Sequence, residues 1–382
     1  MAGRQVLAAL GRADVILSGQ PEITFFLEQY KAQGLFASRV IRVSFENEPV
    51  YGSDNTVEIP MNGDLITAMY ARFDVTFPPG TAMFDSAGNL MIERVELYSG
   101  NDLIERLWGE FMTLTNDCEI SAGQQPGLVS IVGGTALAGA NAPLNRYTVP
   151  LGFKCLRKGL PVVPGLKFRI ILNPSSVFQS TGAGTPNLSF KFLSEFVFLS
   201  ESERTMIQNR GPVIHLSESV QRARFLAPVG SSNIRCVTEF LHPVKELFMT
   251  IQNQGTGGTD YTPSQLQSMA MYFNEAQRLD PVIGTYLFLG SQQFLEYHTR
   301  VPSRPFYMYS FSLDPEGATP SGAVNFGRIK NQYFDFFMNP GTSARVVTIW
   351  ARYYQFLEVN GFKTLRVLFD NTGENGTSAI LS

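Results

Sequence analysis

The segment PSGAVNFGRIK, residues 320–330, has nearly the glycine spacing of a phosphate-binding loop. Gly322 is followed by four residues, a second glycine and a basic residue. A P-loop needs a lysine that reaches the phosphates and a Ser or Thr that holds Mg²⁺, whereas Arg328 and Ile329 occupy those places. The following sequence is also typical of a strand and not of the helix that a P-loop opens. We therefore interpret 320–322 as a turn in which proline sets φ.

Other reactive side chains form no recognisable site in the sequence. A zinc site would need a short histidine spacing that is absent from the three histidines, His215, His242 and His298. No GxSxG elbow occurs, and carboxylate pairs such as Glu201 and Glu203 are expected to be solvated. The segment DNTGENG at 370–376 lacks the ligand pattern of a calcium loop. The sequence predicts no catalytic residue, no metal site and no cofactor.

Composition indicates a weakly charged chain with many contacts. Of 382 residues, 44% are hydrophobic and 16% are charged, against about 25% charged in an ordinary soluble domain. The net charge is −3 without a basic run, which argues against direct nucleic-acid binding. No apolar run approaches the roughly 20 residues of a membrane helix, and we expect neither a leader nor a span. The few charges predict a surface that neighbouring subunits cover.

The cysteines and the N-glycosylation sequons lead to two further expectations, one about disulfides and one about glycans. The three cysteines are far apart and form no CxxC pair, so we expect buried thiols and no disulfide framework. Sequons begin at Asn187 and Asn375, but without a secretory leader we expect both asparagines to lack glycans.

Strand patterns dominate the chain after residue 35. Residues 1–35 have the most helical pattern, and β-branched and aromatic residues then become frequent. Residues 91–111 predict a strand, a turn at 99–102 and a second amphipathic run. Residues 103–117 fit both a strand and a helix. The other predicted strands are 37–47, 66–77, 167–172, 188–200, 213–226, 234–251, 285–289, 306–313, 323–337, 344–358 and 364–369.

Long loops and a polar segment divide the strand-rich region. Loops rich in small residues are predicted at 118–146, 173–187 and 252–268. The polar segment 201–212 predicts a short helix and a domain boundary. Pro161-x-x-Pro164 and Pro302-x-x-Pro305 each precede a strand, which we interpret as a faint sign of duplication. Two successive all-β domains of this kind indicate sandwiches or jelly rolls.

Several segments resemble the double jelly-roll major capsid proteins of nucleocytoplasmic large DNA viruses. In the first half they are GRADVILSGQPEITFFLEQYK (11–31), GDLITAMYARFDVTFP (63–78), ERVELYSGNDLIERLWGEFM (93–112) and YTVPLGFKCLRKGLPVVPGLKFRIIL (147–172). In the second half they are HPVKELF (242–248), RLDPVIGTYL (278–287), LRVLF (365–369) and the long block 298–329. That block is the most specific, and its family-motif residues are His298, Arg300, Pro302, Pro320, Ser321, Gly322, Asn325, Phe326 and Arg328.

The resemblance implies an all-β fold of two consecutive eight-stranded jelly-roll domains with a short N-terminal helical segment. The implied limits are 1–35 for a segment at the capsid interior, 36–203 for the first jelly roll and 204–382 for the second. We expect the long loops at the ends of the barrels, and Asn325 and Arg328 to fix the corner at 320–322 by hydrogen bonds.

The function implied by the resemblance is structural and not enzymatic. The chain would be a major capsid protein whose homotrimers form pseudo-hexagonal capsomers in the icosahedral shell of a large DNA virus. Implied partners are neighbouring capsomers, penton and minor capsid proteins, and an internal membrane beneath the N-terminal segment. The implied location is the virion, assembled in the host cell, in its cytoplasm. The alternatives are a minor capsid or scaffolding paralogue and a jelly-roll carbohydrate-binding protein.

Overall fold

The computed structural model describes residues 33–45, 47–134, 141–182, 184–254 and 265–368, and, nearer the N terminus, residues 4, 5, 8, 9, 11–20 and 26. The chain divides into two compact units, 1–35 and 36–382. In the smaller unit, helix α1 spans Arg12–Ser18. The Asp14 carboxylate accepts a hydrogen bond of 2.8 Å from the backbone N–H of Gly11 at its start. The predicted helical segment is confirmed for these residues, and most of the rest of 1–35 lies outside the described residues.

Strands β1 to β11 form the first half of the larger unit. They are β1 Phe36–Val43, β2 Asp54–Glu58, β3 Leu65–Thr76, β4 Ala82–Met83, β5 Ile92–Ser99, β6 Asp102–Trp108, β7 Arg146–Leu151, β8 Leu160–Pro161, β9 Leu166–Leu172, β10 Gln179–Thr181 and β11 Asn187–Leu199. The helices of this half are α2 Ala87–Leu90, α3 Gly109–Cys118, α4 Gln125–Val132 and α5 Ser175–Phe178, with a 3₁₀ turn at Lys154–Leu156.

Helix α6, Glu201–Asn209, leads into the second half. Its strands are β12 Pro212–Ala227, β13 Asn233–Thr238, β14 Pro243–Asn253, β15 Leu266–Phe273, β16 Ala276–Leu279, β17 Tyr307–Ser310, β18 Val324–Asn325, β19 Gln332–Met338, β20 Arg345–Asn360 and β21 Thr364–Leu368. A π-helix at Phe288–Gln292 continues into α7, Gln293–Tyr297, and a 3₁₀ turn spans Phe326–Arg328.

Both halves have the same antiparallel strand order. In the first half, sheet A has the order β1–β11–β3–β7 and sheet B the order β2–β9–β5–β6. In the second half, sheet C has the order β12–β20–β14–β17 and sheet D the order β13–β19–β15–β16. If the eight principal strands of each half are counted along the chain, both halves pair them as 1-8-3-6 and 2-7-4-5. This is the double-sheet arrangement of a jelly roll, and the predicted fold class is confirmed.

Each jelly roll has its own apolar core between its two sheets. Period-two burial is clear in β9 and β19, in which every second side chain is buried, as expected for strands that cover a core on one face. In the first core, Phe168 stacks on Phe192 with ring centroids 4.0 Å apart. The three cysteines are buried, as expected.

Four predictions about individual elements were wrong. Residues 234–251 form two strands, β13 and β14, and residues 285–289 lie mostly in helical turns that lead into α7. Residues 323–337 are interrupted by a 3₁₀ turn, and much of the predicted loop 118–146 is helical, with α4 at Gln125–Val132. Apolar periodicity over a short run does not separate a strand from a buried helix, which explains the error at 285–289.

The proline repeat is not a structural repeat. Pro161-x-x-Pro164 precedes β9, which is the seventh principal strand of its half, whereas Pro302-x-x-Pro305 precedes β17, which is the sixth. The duplication lies in the strand order and not in these prolines.

The segment between the jelly rolls is helical, as predicted. Ser200 caps α6, since its side chain accepts a hydrogen bond of 3.4 Å from the N–H of Glu203. The strands before α6 pair with one another, as do the strands after it. The domain limits 36–203 and 204–382 stay a prediction.

Candidate functional site at the junction of the two jelly rolls

Helix α3 of the first jelly roll packs on sheet C of the second. It presents Phe111, Leu114 and Cys118, spaced i, i+3 and i+7, to the second half. The ring of Phe111 lies 5.4 Å from Phe248 and 5.6 Å from Trp350. The full cluster is Trp108, Phe111, Leu114, Cys118, Val220, Phe248, Phe294, Phe306, Met308 and Trp350. Burial of these large side chains ties the two barrels together through the hydrophobic effect.

Gly109 allows α3 to begin at this place. A Cβ at this position would lie 2.0 Å from the carbonyl oxygen of Ile92 and 2.2 Å from that of Asn89. Only glycine therefore permits this approach to the backbone. The segment 103–117, which fits both patterns in the sequence, is a strand up to Trp108 and a helix from Gly109.

A buried guanidinium beside the apolar cluster joins carboxylates from both jelly rolls. Arg352 on β20 forms ion pairs of 2.8 Å with Glu218 and 2.8 Å with Glu246, both of the second half. It also pairs with Glu119 of the first half. The Arg352 side chain is 2% exposed, so its charge depends on these partners because burial of an unpaired charge is very costly.

Basic groups on both sides balance the carboxylates of this network. Lys154 of the first half binds Glu119 at 3.0 Å, and Lys245 of the second half binds Glu218 at 2.8 Å. Burial would raise the pKa of Glu119, but the charges of Arg352 and Lys154 hold that pKa well below its usual range. Burial likewise opposes ionisation of Glu218, and the charges of Arg352 and Lys245 lower its pKa to about 2.

His298 lies between two carboxylates at the edge of the network. Its Nε2 is 3.1 Å from Glu246 and its Nδ1 is 2.9 Å from Glu316. Both ring nitrogens face acceptors, which favours the doubly protonated imidazolium. Burial alone would lower the pKa of His298, but hydrogen bonds with Cys118, Glu246 and Glu316 raise it to about 12.

A second polar cluster is centred on Asp117 at the end of α3. Its carboxylate pairs with Arg300 and accepts hydrogen bonds of 3.0 Å from Ser303 Oγ and 2.9 Å from the N–H of Arg304. Arg304 also reaches back to Asp85 of the first half at 2.5 Å. These bonds fix the segment that leads into β17 against the first jelly roll.

A cavity of about 150 Å³ adjoins the ion network between the two halves. Glu105 on its wall accepts backbone hydrogen bonds of 2.8 Å from both Lys154 and Cys155. Burial outweighs these bonds and raises the pKa of Glu105 to about 7. The wall is largely apolar, with Glu105 and the groups of the ion network as its polar part.

The motif residues predicted from the sequence fall into two places. His298 and Arg300 belong to the junction, and Pro302 lies in the same segment. The remaining six, Pro320, Ser321, Gly322, Asn325, Phe326 and Arg328, lie at a corner between β17 and β18 or directly after it. Glu316, in the loop that precedes this corner, connects it to His298.

Ser321 and Gly322 shape the corner. Ser321 Oγ accepts a hydrogen bond of 2.8 Å from the N–H of Asp314 and lies 2.9 Å from its carbonyl oxygen. Gly322 has φ +141°, and a Cβ there would lie 2.8 Å from the carbonyl oxygen of Phe311. The position therefore requires glycine for conformation and for space.

Asn325 and Phe326 continue the corner, whereas Arg328 does not. The Asn325 side chain accepts a hydrogen bond of 3.1 Å from the N–H of Gly327 and so caps the 3₁₀ turn. Phe326 is buried with its ring 5.1 Å from that of Phe273. Arg328 is exposed at the end of this turn and makes no hydrogen bond or ion pair with the described residues. The expectation for Arg328 is therefore wrong.

Neither a metal site nor a membrane helix is found among the described residues. No group of three His, Cys, Asp or Glu side chains there could hold a metal ion. None of the helices in that part of the chain is long and apolar enough to cross a membrane.

Comparisons with known proteins agree with this two-barrel geometry. Residues 203–368 match the family model described as large eukaryotic DNA virus major capsid protein, and residues 24–164 match that of the major capsid protein N-terminus. The chain belongs to the major capsid proteins of large eukaryotic DNA viruses. It is 26% identical to the major capsid protein of Pyramimonas orientalis virus, over 86% of this chain and 90% of that protein. It is also 26% identical to the major capsid protein of Paramecium bursaria Chlorella virus 1, over 86% of this chain and 85% of that protein.

Solved structures show the same fold. PBCV-1 VP54 has a TM-score of 0.76 with 20% identity, and covers 91% of this chain and 100% of its own. The Faustovirus major capsid protein has a TM-score of 0.70 with 10% identity, and covers 91% and 94%.

Sequence reasoning missed most residues of the junction in this capsid protein. Arg352 directly follows the apolar run Ile349–Ala351 of β20, and Glu246 directly precedes the apolar run Leu247–Met249 of β14. A charge beside such a run is the signal that could have indicated a buried ion pair. Trp108 and Trp350, the only two tryptophans of the chain, both lie in the apolar cluster.

Replacement of Arg352 tests the ion network. Arg352→Met leaves three buried carboxylates without their shared cation, and we expect the free energy of unfolding to fall by about 3–5 kcal/mol. Urea unfolding measures the change. The control is Arg366→Met, which removes an exposed pair with Glu358 and should leave the midpoint unchanged. Equal midpoints for the two variants would contradict the proposed role of the network.

The pH dependence of stability tests His298. Its folded pKa is about 12 against 6.5 for the free side chain. The stabilisation is therefore complete below pH 6.5 and is lost as the pH rises towards 12. Each pH unit in this window should lower the folding equilibrium constant by up to about tenfold.

His298→Gln should remove this alkaline slope, because glutamine does not titrate. His215→Gln, which replaces a histidine whose pKa burial lowers, is the matched control and should keep the slope. Denaturant unfolding between pH 6.5 and pH 9 measures how the free energy of unfolding changes with pH. If this pH dependence were the same in His298→Gln and in the wild type, His298 would not be the titrating group.

Gly322→Val tests the corner. The left-handed φ costs about 1–3 kcal/mol for a branched residue, and the side chain would collide with Phe311. We expect a lower yield of folded protein and an earlier urea midpoint. Gly123→Val is the control, since no atom lies within 4 Å of a Cβ there. Equal yields from the two variants would contradict the steric argument.

Proposed function

We propose that this chain is the main building block of an icosahedral viral shell and that three copies close into a pseudo-hexagonal capsomer. The observation that supports this proposal is the fixed junction between two jelly rolls of identical strand order. Two similar wedges in each chain make six in a trimer. A six-sided tile packs a flat facet with small gaps, so one gene product can cover it.

The trimer requires a heterologous contact, in which one surface of a chain meets a different surface of the next. Such contacts close into rings when the rotation per subunit divides a full turn. A flexible link between the jelly rolls would allow many relative orientations of the two barrels. A buried ion network and an apolar cluster fix a single orientation, and with it the rotation from one subunit to the next. The low charged fraction of 16% fits a subunit with extensive contacts.

The proposed partners are further copies of the capsomer, penton proteins and minor capsid proteins. The N-terminal segment 1–35 is proposed to face the capsid interior, where an internal membrane or minor proteins would meet it. The proposed role is structural, without catalysis or direct nucleic-acid contact. Assembly is proposed to take place in the host cytoplasm, and the assembled chain is part of the virion.

The mass of the purified full chain in solution tests the capsomer. Sedimentation equilibrium should give three times the mass of one chain, and negative-stain images should show particles with six-sided outlines. A stable monomer at micromolar concentration would contradict the proposal. Binding of a glycan array by such a monomer would favour a carbohydrate-binding jelly roll instead.

A further inference from the structure

A groove of about 670 Å³ lies beside β12 where the two jelly rolls meet. Strand β12 is an edge strand of sheet C. The first jelly roll contributes Leu103, Arg106 and Trp108 of β6 to the groove, and the second contributes parts of β12 and of the loop between β13 and β14. Both halves of the molecule therefore shape this groove.

Basic side chains dominate the charge of the groove. Its charged lining residues are Arg106, Arg222, Arg224 and Glu239. Arg106 is paired with Glu96 at 2.6 Å. The side chains of Arg222, Arg224 and Glu239 form no hydrogen bond or ion pair with the described residues. The groove therefore contains two guanidinium groups that lack a carboxylate partner in this part of the chain.

The guanidinium of Arg222 is unusual because it is half-buried. It lies 3.6 Å from the ring centroid of Trp108, a cation–π contact that satisfies one face of the group. Burial lowers the pKa of Arg222 to about 10, and the charge of Arg224 acts in the same direction. A guanidinium also has five N–H donors in its plane, and burial without acceptors for them is costly. The site is therefore short of acceptors.

A second donor in the wall of the groove is also unpaired. Trp108 is 6% exposed, and its Nε1 has no hydrogen-bond partner among the described residues. Buried donors in native structures nearly always have an acceptor. The guanidinium groups of Arg94 and Arg106 lie 5.6 Å and 5.9 Å from the same ring. The surroundings of Trp108 thus have more donors than acceptors, which suits an anionic ligand.

The segment after β21 has the complementary charge. Residues 369–382 lie outside the described residues. They include Asp370 and Glu374 and contain no lysine or arginine. Both acids belong to the sequence DNTGENG at 370–376, which does not fit a calcium loop, so no other ligand is assigned to these carboxylates.

The chain enters this acidic segment beside the groove. Leu368, the last residue of β21, pairs with Phe356 of β20, and the antiparallel register runs from there towards Tyr353, which lines the groove. From Tyr353 onwards β14 occupies this edge of β20. Gln355 Nε2 also donates a hydrogen bond of 3.4 Å to the carbonyl oxygen of Leu103, another lining residue. The edge that is open to β21 therefore ends close to the groove.

We propose that the segment 369–382 binds in this groove of its own chain, with the carboxylates of Asp370 and Glu374 at the guanidinium groups of Arg222 and Arg224. Charge-assisted pairs of this kind are the stronger hydrogen bonds of proteins. Because the segment is tethered, its effective concentration at the groove is about millimolar, so modest affinity is sufficient. The bound segment connects β6 of the first jelly roll with β12 of the second. This inference goes beyond the proposed function and does not depend on the trimer.

A quencher on the segment tests the proposal in the full chain. Thr372→Cys is labelled with a maleimide nitroxide, which the buried native cysteines do not reach. Trp108 lines the groove, its ring lies 6.0 Å from that of Trp350, and the chain has no other tryptophan. A nitroxide quenches tryptophan only at short range. We expect weaker fluorescence than in the same chain with a diamagnetic label, and equal fluorescence would overturn the proposal.

Arginine variants identify the surface that holds the segment. Arg222→Gln with Arg224→Gln should abolish the quenching, because the carboxylates lose their partners. Each variant is compared with its own diamagnetic form, and circular dichroism with the urea midpoint shows that it is folded. The matched control, Arg278→Gln with Arg328→Gln, changes exposed arginines elsewhere and should keep the quenching. The same quenching in both double variants would contradict the assigned groove.

Variants of the segment test its charges. Asp370→Asn with Glu374→Gln should also lose the quenching, and 0.5 M NaCl should weaken it in the labelled chain because salt screens exposed pairs. Quenching that survives both changes would overturn the assignment of the carboxylates.

Co-expression separates binding within a chain from exchange between chains. Labelled chains that carry Trp108→Phe and Trp350→Phe are produced together with unlabelled wild-type chains, so that all fluorescence comes from the wild type. Unchanged fluorescence is expected. Quenching of the wild type would show that the segment reaches a neighbouring chain and would overturn its assignment to its own groove.

Discussion

The arrangement of the two jelly rolls depends on one buried charge. Arg352 lies in the middle of β20, the longest strand of sheet C together with β12, and its side chain is almost completely buried. Such a guanidinium is tolerated only where carboxylates surround it. Glu218 and Glu246 come from the second jelly roll and Glu119 from the first. If the barrels separated, Arg352 would lose its ion pair with Glu119, and one side of its guanidinium would be exposed to water.

The apolar and polar parts of the junction have different tasks. The aromatic cluster around Phe111 and Trp350 supplies buried apolar contacts. The hydrophobic effect is non-directional, so such contacts tolerate small shifts of one barrel against the other. The ion pairs of Arg352 and the hydrogen bonds of Asp117 require defined distances and so fix the angle between the barrels. A fixed angle is what a subunit needs if the contacts between copies must close a ring.

The sequence predicts the strands well and the junction poorly. Period-two patterns are local, so strands such as β9 and β11 can be found from their own residues. The partners of Arg352 lie 106 to 233 residues away along the chain, and no local pattern records such pairs. His298 and Arg300 were found through the family motif, but their partners, Glu246 and Asp117, became visible only in the folded chain.

Helical segments between the strands were the other main difficulty. Residues 285–289 are apolar and aromatic, which suits a strand, yet they lie at the start of a helix because tertiary contacts decide short apolar runs. This helix connects the fifth and sixth principal strands of the second jelly roll, as α3 does in the first, and this equivalence follows from strand order and not from sequence similarity.

The most direct test of the account compares two probes in one urea titration. Tryptophan fluorescence reports on the junction alone, because Trp108 and Trp350 are the only tryptophans and both lie there. Far-UV circular dichroism reports on the strands of both jelly rolls. If the junction makes the barrels one cooperative body, the two transitions coincide. A fluorescence transition at lower urea, with the strands still intact, would show that the barrels are not held as one and would contradict the account.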